Sequence, residues 1–340
     1  MRSFGKPFIL ILPMRVDDRE QANHRSGTSF KVKEDATLEA LLARVMPGRS
    51  HSSVKKLLQT GSITVDGRVL RRLDEPLQAG QTVFVGKKSD FQLPPGLRIV
   101  WEDTSLLVVK KESGLLTVGN HCERQQTAEE YLNAYMQFRQ QGERIYVVHR
   151  IDRDTSGILL FAKTSRMAEL LRADWHRLVE SRRYIAVAEG FFREPEGTVD
   201  TWMDEDARRS MMYVSRPGQG KRAVTHYRVL DERSTPKGDY SLLELQLETG
   251  RRNQIRVHMS FLGHPLAGDA KYGARTNPCG RLCLHAQELC FRHPITGERL
   301  EFTSEIPREF RLASQEFAQA VQRFGHQGFR HGLPGTEESR

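Results

Sequence analysis

Residues 145–163 read Ile-Tyr-Val-Val-His-Arg-Ile-Asp-Arg-Asp-Thr-Ser-Gly-Ile-Leu-Leu-Phe-Ala-Lys, a polar centre between two short apolar runs. The runs, 145–148 and 158–162, are rich in β-branched and large apolar side chains, which is typical of buried strands. Gly157 allows the backbone to turn at the end of the polar centre. The pattern fits a reactive carboxylate on a rigidly held loop, and it equally fits an ordinary polar turn with an Arg–Asp ion pair.

The size and composition of the chain are typical of a globular protein with room for two domains. Its 340 residues are 38% hydrophobic and 28% charged. The apolar run 8–12 is too short to span a bilayer, and no small-residue cleavage site follows it. We therefore expect no membrane span and no signal peptide.

The cysteines are too few for a disulfide framework, which favours a reducing compartment and a cytoplasmic protein. Cys279 and Cys283, with His285 and His293 nearby, are the best candidates for a zinc site. The paired ligand spacing usual for zinc is missing, and 283–290 has the pattern of a strand. We expect no metal ion.

The net charge of +9 and the pI near 9.5 favour a polyanionic partner, although basic surfaces often serve solubility alone. Residues 1–88 contain 16 Lys and Arg against 9 Asp and Glu, so most of the excess lies in the first quarter of the chain. We expect nucleic acid to bind there.

Residues 34–86 have the pattern of a compact module of two helices and a small hairpin sheet. Apolar residues recur at helical spacing over 38–45 and 54–58, and Ser52 or Ser53 is the expected cap of the second helix. The basic side chains expected to contact RNA are Arg44, Arg49, Lys55, Lys56 and Arg68.

The module resembles the RNA-binding fold first described in small-subunit ribosomal protein four, best in Gly-Ser-Ile-Thr-Val-Asp-Gly-Arg at 61–68. The resemblance implies RNA binding in which Lys and Arg contact phosphates without reading sequence. The alternative is a small basic module for dimerisation or protein binding.

The central stretch resembles the catalytic motif of the RluA-type pseudouridine synthases. The matching residues are His149-Arg150-Ile151-Asp152, then Thr155-Ser156-Gly157 and an apolar run. The resemblance implies that Asp152 is the catalytic residue. Asp154 is the rival carboxylate, which the family pattern disfavours.

Further segments match the same family, in the expected order, between about 108 and 294. Arg183-Tyr184 before an apolar strand matches the second motif, and 248–259 matches the third. Arg252 and Asn253 replace the Thr or Ser and the His that are usual in the third motif, and Glu112 replaces an expected proline.

The resemblance implies an isomerase that converts uridine to pseudouridine. The enzyme breaks the glycosidic bond, turns the uracil and rejoins it through carbon 5, with no metal ion, nucleotide or other cofactor. Asp152 acts on the nucleotide, and Arg256 keeps this carboxylate ionised. Base flipping delivers the uridine, Tyr184 stacks on it, and Arg150 interacts with the displaced bases.

Three expectations concern the rest of the chain. Residues 167–178 have the spacing of one helix whose apolar stripe packs in the core. Thr127-x-x-Glu130 is a capping box before another helix. The charged and Gly/Pro-rich segment 191–222 is expected to form loops over a short sheet.

We therefore predict an α+β protein. Its catalytic domain is a mixed, largely antiparallel β-sheet flanked by helices, and a small N-terminal α/β domain binds RNA. The expected segments are an extension 1–33 with a short strand at 8–12, the module 34–86, a linker 87–97, the catalytic domain 98–315, and a C-terminal helix and frayed tail 316–340.

RNA is the expected partner of a monomeric enzyme. The resemblance implies large-subunit ribosomal RNA as the substrate, because family members that carry such a module usually modify it, and transfer RNA is the alternative substrate. A different class of function is also open: the protein could have the same fold and act as a non-catalytic RNA-binding protein in ribosome assembly. A nucleotide-binding enzyme is disfavoured because no Gly-rich phosphate loop followed by Lys-Ser/Thr is present.

Overall fold

The computed structural model describes residues 14–15, 27–59, 61–66, 68–70, 72–86, 93–119, 126–139 and 144–311. Its large, mostly antiparallel sheet and its helices confirm the predicted α+β class. The chain divides into two compact units: the first is Met1–Ser181 with Glu288–Ser304, and the second is Arg182–Gln287 with Glu305–Arg340. The predicted strand at 8–12 and the predicted helix from 316 lie outside the described residues.

The first unit has short strands and two helices before residue 87 and longer strands after residue 96. Its elements are β1 (Met14–Arg15), β2 (Gly27–Lys31), β3 (Ala36–Thr37), α1 (Leu38–Val45), α2 (His51–Gln59), β4 (Ile63–Val65), β5 (Arg68–Val69), β6 (Pro76–Leu77), β7 (Thr82–Gly86), β8 (Leu97–Glu102), β9 (Leu106–Lys111), α3 (Ala128–Phe138), β10 (Tyr146–Val147), β11 (Ser156–Ala162), α4 (Ser165–Ala173) and α5 (Trp175–Leu178).

The N-terminal part of this unit has a hydrophobic core of its own. Its four-stranded sheet has the order β2-β7-β4-β5, and the core includes Leu38 and Leu41 of α1 and Ile63 of β4. Sequence patterning missed β2, which is five residues long, has Phe30 as its one large apolar residue and pairs with β7. The domain boundaries at 34, 86 and 98 remain predictions.

Two helices are capped by a side-chain oxygen of the residue just before the first helical residue. Ser50 Oγ accepts from the Ser53 backbone N–H at 3.3 Å, so the predicted cap of α2 at Ser52 or Ser53 was wrong. Ser50 directly precedes the first helical residue, and this places its hydroxyl within reach of the free N–H groups. The predicted cap of α3 is confirmed, because Thr127 Oγ1 accepts from the Glu130 N–H at 3.2 Å.

The two strands predicted around the polar centre are β10 and β11, which pair antiparallel through Tyr146 and Ala162. Every residue of β11 is buried, and β11 continues to β9 and β8. One face of this sheet packs on α4 through Met167 and Leu171. The polar centre is therefore a loop anchored to a buried strand.

The predicted single helix over 167–178 was wrong, because α4 ends at Ala173 and a separate turn, α5, follows. Asp174, between them, has a non-helical backbone (φ −121°, ψ 24°). Leu170 is 38% exposed, so the apolar stripe is not entirely core.

The second unit begins inside the long strand β12. Residues 288–304, within the remaining stretch, belong to the first unit. The elements from β12 to residue 311 are β12 (Val179–Glu189), β13 (Glu196–Asp206), β14 (Met211–Ser215), β15 (Lys221–Thr235), β16 (Gly238–Leu247), α6 (Gln254–Phe261), a 3-10 turn (Ala270–Tyr272), β17 (Leu284–Arg292), β18 (Arg299–Thr303) and a second 3-10 turn (Arg308–Arg311).

The strand order in the second unit is β14-β13-β15-β16-β12, so β14 is an edge strand. The expectation of loops at 191–222 was wrong, because β13 and β14 lie there. Val199 and Met203 of β13 are buried while Asp200 and Asp204 are not. A strand with one exposed face carries these charges without disrupting the sheet.

Candidate active site

Asp152 lies in the loop between β10 and β11, where its side chain is half-buried, whereas Asp154 is exposed. Arg150, just before them, is exposed as well. His149 anchors the start of the loop, because its Nε2 accepts from the Leu160 backbone N–H at 2.9 Å. Of the two candidate carboxylates, Asp152 has the more enclosed position.

A buried lysine holds the backbone of this loop. Lys111 is fully buried at the end of β9, and its Nζ donates to the carbonyl oxygens of Glu112, Leu115 and Arg153 at 2.9, 2.6 and 2.9 Å. A buried ammonium group is costly unless its donors are satisfied. These bonds therefore fix the peptide between Arg153 and Asp154, one residue beyond Asp152.

Two hydroxyl groups hold the neighbouring peptides. Ser113 Oγ donates to the Asp154 carbonyl at 2.8 Å, and Thr117 Oγ1 donates to the Ile151 carbonyl at 2.8 Å. The backbone on both sides of residue 152 is thus tied to the segment after β9. Such support keeps a reactive side chain in one position.

Tyr184 lies on β12, is 8% exposed and pairs with Leu245 of β16. Arg182, two residues earlier, donates from Nη2 to the carbonyls of Leu247 and Glu248 at 3.2 and 2.9 Å. A Cβ at Gly250 would lie 2.8 Å from Arg182 Nη1, so the guanidinium would have to shift to admit a side chain there. Burial lowers the pKa of the Arg182 guanidinium.

Arg256 lies on α6 and forms a buried, bidentate ion pair. Its Nε and Nη2 donate to the two carboxylate oxygens of Asp269, both at 2.7 Å, and its Cζ lies 4.9 Å from the ring centroid of Tyr272. A paired fork of this kind fixes the guanidinium plane. The sequence pattern Gly268-Asp269-x-x-Tyr272 therefore has a function here, which is to hold Arg256.

Buried polar side chains hold α6 on the sheet. Gln254 Nε2 donates to the Val224 carbonyl at 2.9 Å, and the imidazole of His258 is hydrogen-bonded to the hydroxyls of Thr225 and Thr201 at 2.9 and 3.0 Å. Burial lowers the pKa of His258 to about 4, so the ring is neutral at pH 7. The helix that carries Arg256 is thus fixed by uncharged hydrogen bonds.

The two residues that depart from the third motif have structural partners. Arg252 pairs with Glu205 and donates from Nη2 to the Ser210 carbonyl at 2.9 Å. Asn253 has a left-handed backbone (φ 52°), and its Oδ1 accepts from the Tyr272 hydroxyl at 3.2 Å. Both residues therefore connect α6 to the β13–β14 hairpin or to the 3-10 turn.

Four of the five predicted RNA contacts of the N-terminal module are exposed. Arg49, Lys55 and Lys56 are exposed, and exposed Arg44 pairs with Glu34 at 3.0 Å. Arg68 begins β5. Exposed cations suit contacts with phosphates.

The sequence named Asp152, Tyr184 and Arg256 but missed the residues that hold them. Lys111 is the chief omission: a lysine at the end of an apolar strand gives no sign that it is buried. Asp152 belongs to the first unit, and Tyr184 and Arg256 belong to the second.

Among the described residues, no group of three or more His, Cys, Asp or Glu could hold a metal ion. Cys279 and Cys283 instead hydrogen-bond to the carbonyls of Glu309 and Arg281 at 3.2 and 3.8 Å. Within the same part of the chain, no helix is long and apolar enough to cross a membrane.

Residues 105–261 match the family described as RNA pseudouridylate synthase. The chain is 34% identical over 299 residues to "Uncharacterized RNA pseudouridine synthase YlyB" of Bacillus subtilis, covering 83% of this chain and 94% of that protein. It is 33% identical over 318 residues to "Ribosomal large subunit pseudouridine synthase D" of Vibrio vulnificus, covering 87% and 93%.

Two solved structures share the fold. "Human RNA Pseudouridylate Synthase Domain Containing 1" aligns with a TM-score of 0.53 and 26% identity, over 68% of this chain and 95% of that one. "Human RNA Pseudouridylate Synthase Domain Containing 4" aligns with a TM-score of 0.51 and 25% identity, over 66% and 93%. With relatives at 33 and 34% identity that span most of both chains, this chain belongs to the family of RluA-type RNA pseudouridine synthases, which are isomerases.

Proposed function

We propose that this pseudouridine synthase acts on uridines of large-subunit ribosomal RNA and that Asp152 is its catalytic carboxylate. The similarity to the Vibrio vulnificus protein, whose name specifies the large ribosomal subunit and which aligns over 93% of its length, carries the choice of RNA. The half-buried position of Asp152, with the peptides around it tied to the segment after β9, supports the choice of residue.

The proposed reaction is balanced within one nucleotide. The bond from uracil N1 to the ribose breaks, the detached base turns, and a bond forms between carbon 5 and the ribose. The hydrogen on carbon 5 leaves as a proton, and N1 gains one. A positioned carboxylate suits this sequence because it can act as a nucleophile or accept a proton.

The target uridine must leave its stack to reach a half-buried carboxylate. Arg150 is exposed and lies two residues before Asp152. Its assigned role is to interact with the displaced bases at the gap that the flipped base leaves. Tyr184, an aromatic ring on β12 that is 8% exposed, is assigned to stacking on the uracil. Arg256 is assigned the positive charge of the site, held in one plane by Asp269.

The RNA target is tested by mapping pseudouridines in total RNA from cells with and without the gene. The expected result is the loss of one or more pseudouridines from large-subunit ribosomal RNA, with transfer RNA unchanged. Restoration by a plasmid copy is the control. If the lost sites lie in transfer RNA, the enzyme class is unaffected and the proposed substrate is wrong.

We place the reaction in the cytoplasm and expect the enzyme to be a monomer.

The N-terminal module is proposed to bind RNA phosphates through Arg49, Lys55 and Lys56. The slope of log affinity against log salt concentration is negative. Exchanging all three for Gln is expected to make this slope shallower by about 2, since each lost phosphate contact reduces its magnitude by about 0.7–0.9. The measurement is RNA binding by filter retention at several salt concentrations. The matched control is Arg166→Gln, an exposed arginine on α4, which is expected to leave the slope unchanged. Equal slopes for wild type and the triple variant would remove the module from the RNA interface.

A further inference from the structure

The edge strand β14 places an exposed aromatic ring on one face of the sheet in the second unit. Tyr213 is 47% exposed and pairs with Asp204 of β13. Trp202, two residues before Asp204, pairs with Ser215 and, on its other side, with Arg222 of β15. Because directly paired residues point to the same face and every second residue shares it, Tyr213, Trp202 and Arg222 lie on one face.

The opposite face of the same strands is core. Met203 of β13 is 1% exposed, and Met212 and Val214 of β14 pack with it against Val257 of α6. The sheet is therefore stabilised from this side, and the face with Tyr213 has no role in that core. An edge strand is open to a binding partner on its free side, and the Tyr213 ring is accessible there.

Exposed cations stand in the turns at both ends of β14. Arg208 lies in the turn from β13, and Arg216 and Lys221 lie around the turn to β15. Within the described part of the chain, none of these three side chains has an ion-pair partner. Five residues of strand span about 17 Å, so the cations bracket a length of about two to three phosphate spacings.

The β13–β14 hairpin is fixed to the rest of the second unit. Arg252 and Lys271 both donate to the Ser210 carbonyl, at 2.9 and 2.8 Å. The Met212 backbone N–H donates to the Tyr272 hydroxyl at 3.2 Å. A platform held in this way loses little conformational entropy when it binds a ligand.

We propose that the outward face of β13–β15, here called the β14 platform (Trp202, Tyr213 and Arg222, with Arg208, Arg216 and Lys221 at its ends), binds unpaired bases of the substrate RNA. The inference rests on the proposed function, which makes RNA the substrate. Aromatic rings on a sheet stack on bases, and the cations contact the phosphates on either side. Arg222 pairs with Asp200, and the exposed Asp204 shares this face, so the attraction for RNA phosphates comes from Arg208, Arg216 and Lys221.

The β14 platform is separate from the residues assigned to chemistry. Tyr184 pairs with Leu245, which pairs with Tyr227 of β15. Tyr227 and Arg222 are an odd number of positions apart, so Tyr184 and the platform lie on opposite faces of the sheet. An RNA strand reaches the platform around the edge strand, and the contact contributes to binding and not to the chemical step.

The test uses the full-length protein and a fluorescein-labelled oligouridine of about 12 nucleotides, a length within the site sizes of single-strand binders. Tyr213→Ala is expected to weaken binding, measured by fluorescence anisotropy, at least about 5-fold, the lower limit for the loss of one stacked base. Tyr213→Phe, which keeps the ring, is expected to bind within about twofold of wild type. The matched control is Phe191→Ala, since Phe191 is 44% exposed and lies outside the platform.

A second measurement does not depend on total affinity. Oligouridine carrying 4-thiouridine is photo-crosslinked to the protein, and the crosslinked peptides are identified by mass spectrometry. Crosslinks to the peptide that contains Tyr213, lost in Tyr213→Ala and kept in Phe191→Ala, support the platform. No crosslink there, or unchanged affinity in Tyr213→Ala, overturns it. A change in oligomeric mass with unchanged RNA binding also overturns it and makes the face a protein interface.

The outcomes separate this inference from the proposed function. With ribosomal RNA as substrate, Tyr213→Ala is expected to raise KM and leave kcat unchanged, whereas Asp152→Asn is expected to lose turnover and keep its affinity for oligouridine. If wild-type protein isomerises no uridine in that RNA, the proposed function fails. The anisotropy and crosslinking results still decide the platform.

Discussion

Asp152→Asn is expected to lower the rate of uridine isomerisation by about 10³-fold or more, with little change in stability. Removing a group that attacks substrate or moves its proton typically has an effect of this size or larger. The amide has the same shape as the carboxylate, and the side chain is only half-buried, so the loop keeps its backbone bonds. The measurement is release of tritium from RNA labelled at uracil carbon 5, because that hydrogen leaves when the new bond forms.

The matched control for this change is Asp154→Asn. Asp154 is exposed, and its contact with Ser113 uses the backbone carbonyl, which the substitution retains. We expect its rate to stay within about threefold of wild type. An undiminished rate in Asp152→Asn would refute the assignment, and a selective loss in Asp154→Asn would transfer it to the rival carboxylate.

Asp269→Asn is expected to destabilise the protein by about 3–5 kcal/mol, because it leaves the buried Arg256 charge without the carboxylate that pairs with it. Both groups are nearly inaccessible, with Arg256 at 8% and Asp269 at 2% exposure. Solvent therefore cannot compensate for the lost charge. The measurement is the midpoint and slope of urea unfolding, together with turnover under conditions where the variant is folded.

The control for this prediction is Asp200→Asn, which removes the carboxylate from the solvent-exposed pair with Arg222. Because water screens that pair, we expect its unfolding curve to overlay that of wild type. An Asp269→Asn variant that unfolds at the wild-type urea concentration would show that Asp269 is not what neutralises Arg256. In a folded Asp269→Asn variant, a misplaced Arg256 is expected to lower kcat more than it raises KM.

Local patterns were enough to predict the strands around Asp152 and the cap at Thr127. The strands are continuous apolar runs, and the cap is a threonine hydroxyl three residues before a glutamate. Each pattern is complete within a few residues, so no distant partner is needed to read it. The motif that contains Arg256 was identified by its resemblance to the pseudouridine synthase family, and the role of Arg256 stays a prediction.

Features that depend on distant residues could not be predicted from the same patterns. Lys111 is satisfied by a carbonyl 42 residues away, and nothing near it in sequence indicates burial. The sequence pattern at 191–222 predicts loops because the exposed face of β13 carries charged residues such as Asp200 and Asp204, and because β14 is only five residues long. The pair of Arg256 and Asp269 spans 13 residues, and sequence alone does not show that Asp269 faces inward.

The loop of Asp152 is fastened through main-chain oxygens: Lys111, Ser113 and Thr117 bind the carbonyls of residues 153, 154 and 151. Every amino acid carries such an oxygen, so the fastening does not depend on which side chains occupy 153 and 154. Mutation at these positions can alter what the enzyme presents to its RNA while the loop keeps its shape. Substitutions at the residues that flank Asp152 can therefore change RNA specificity during evolution without loss of the loop conformation.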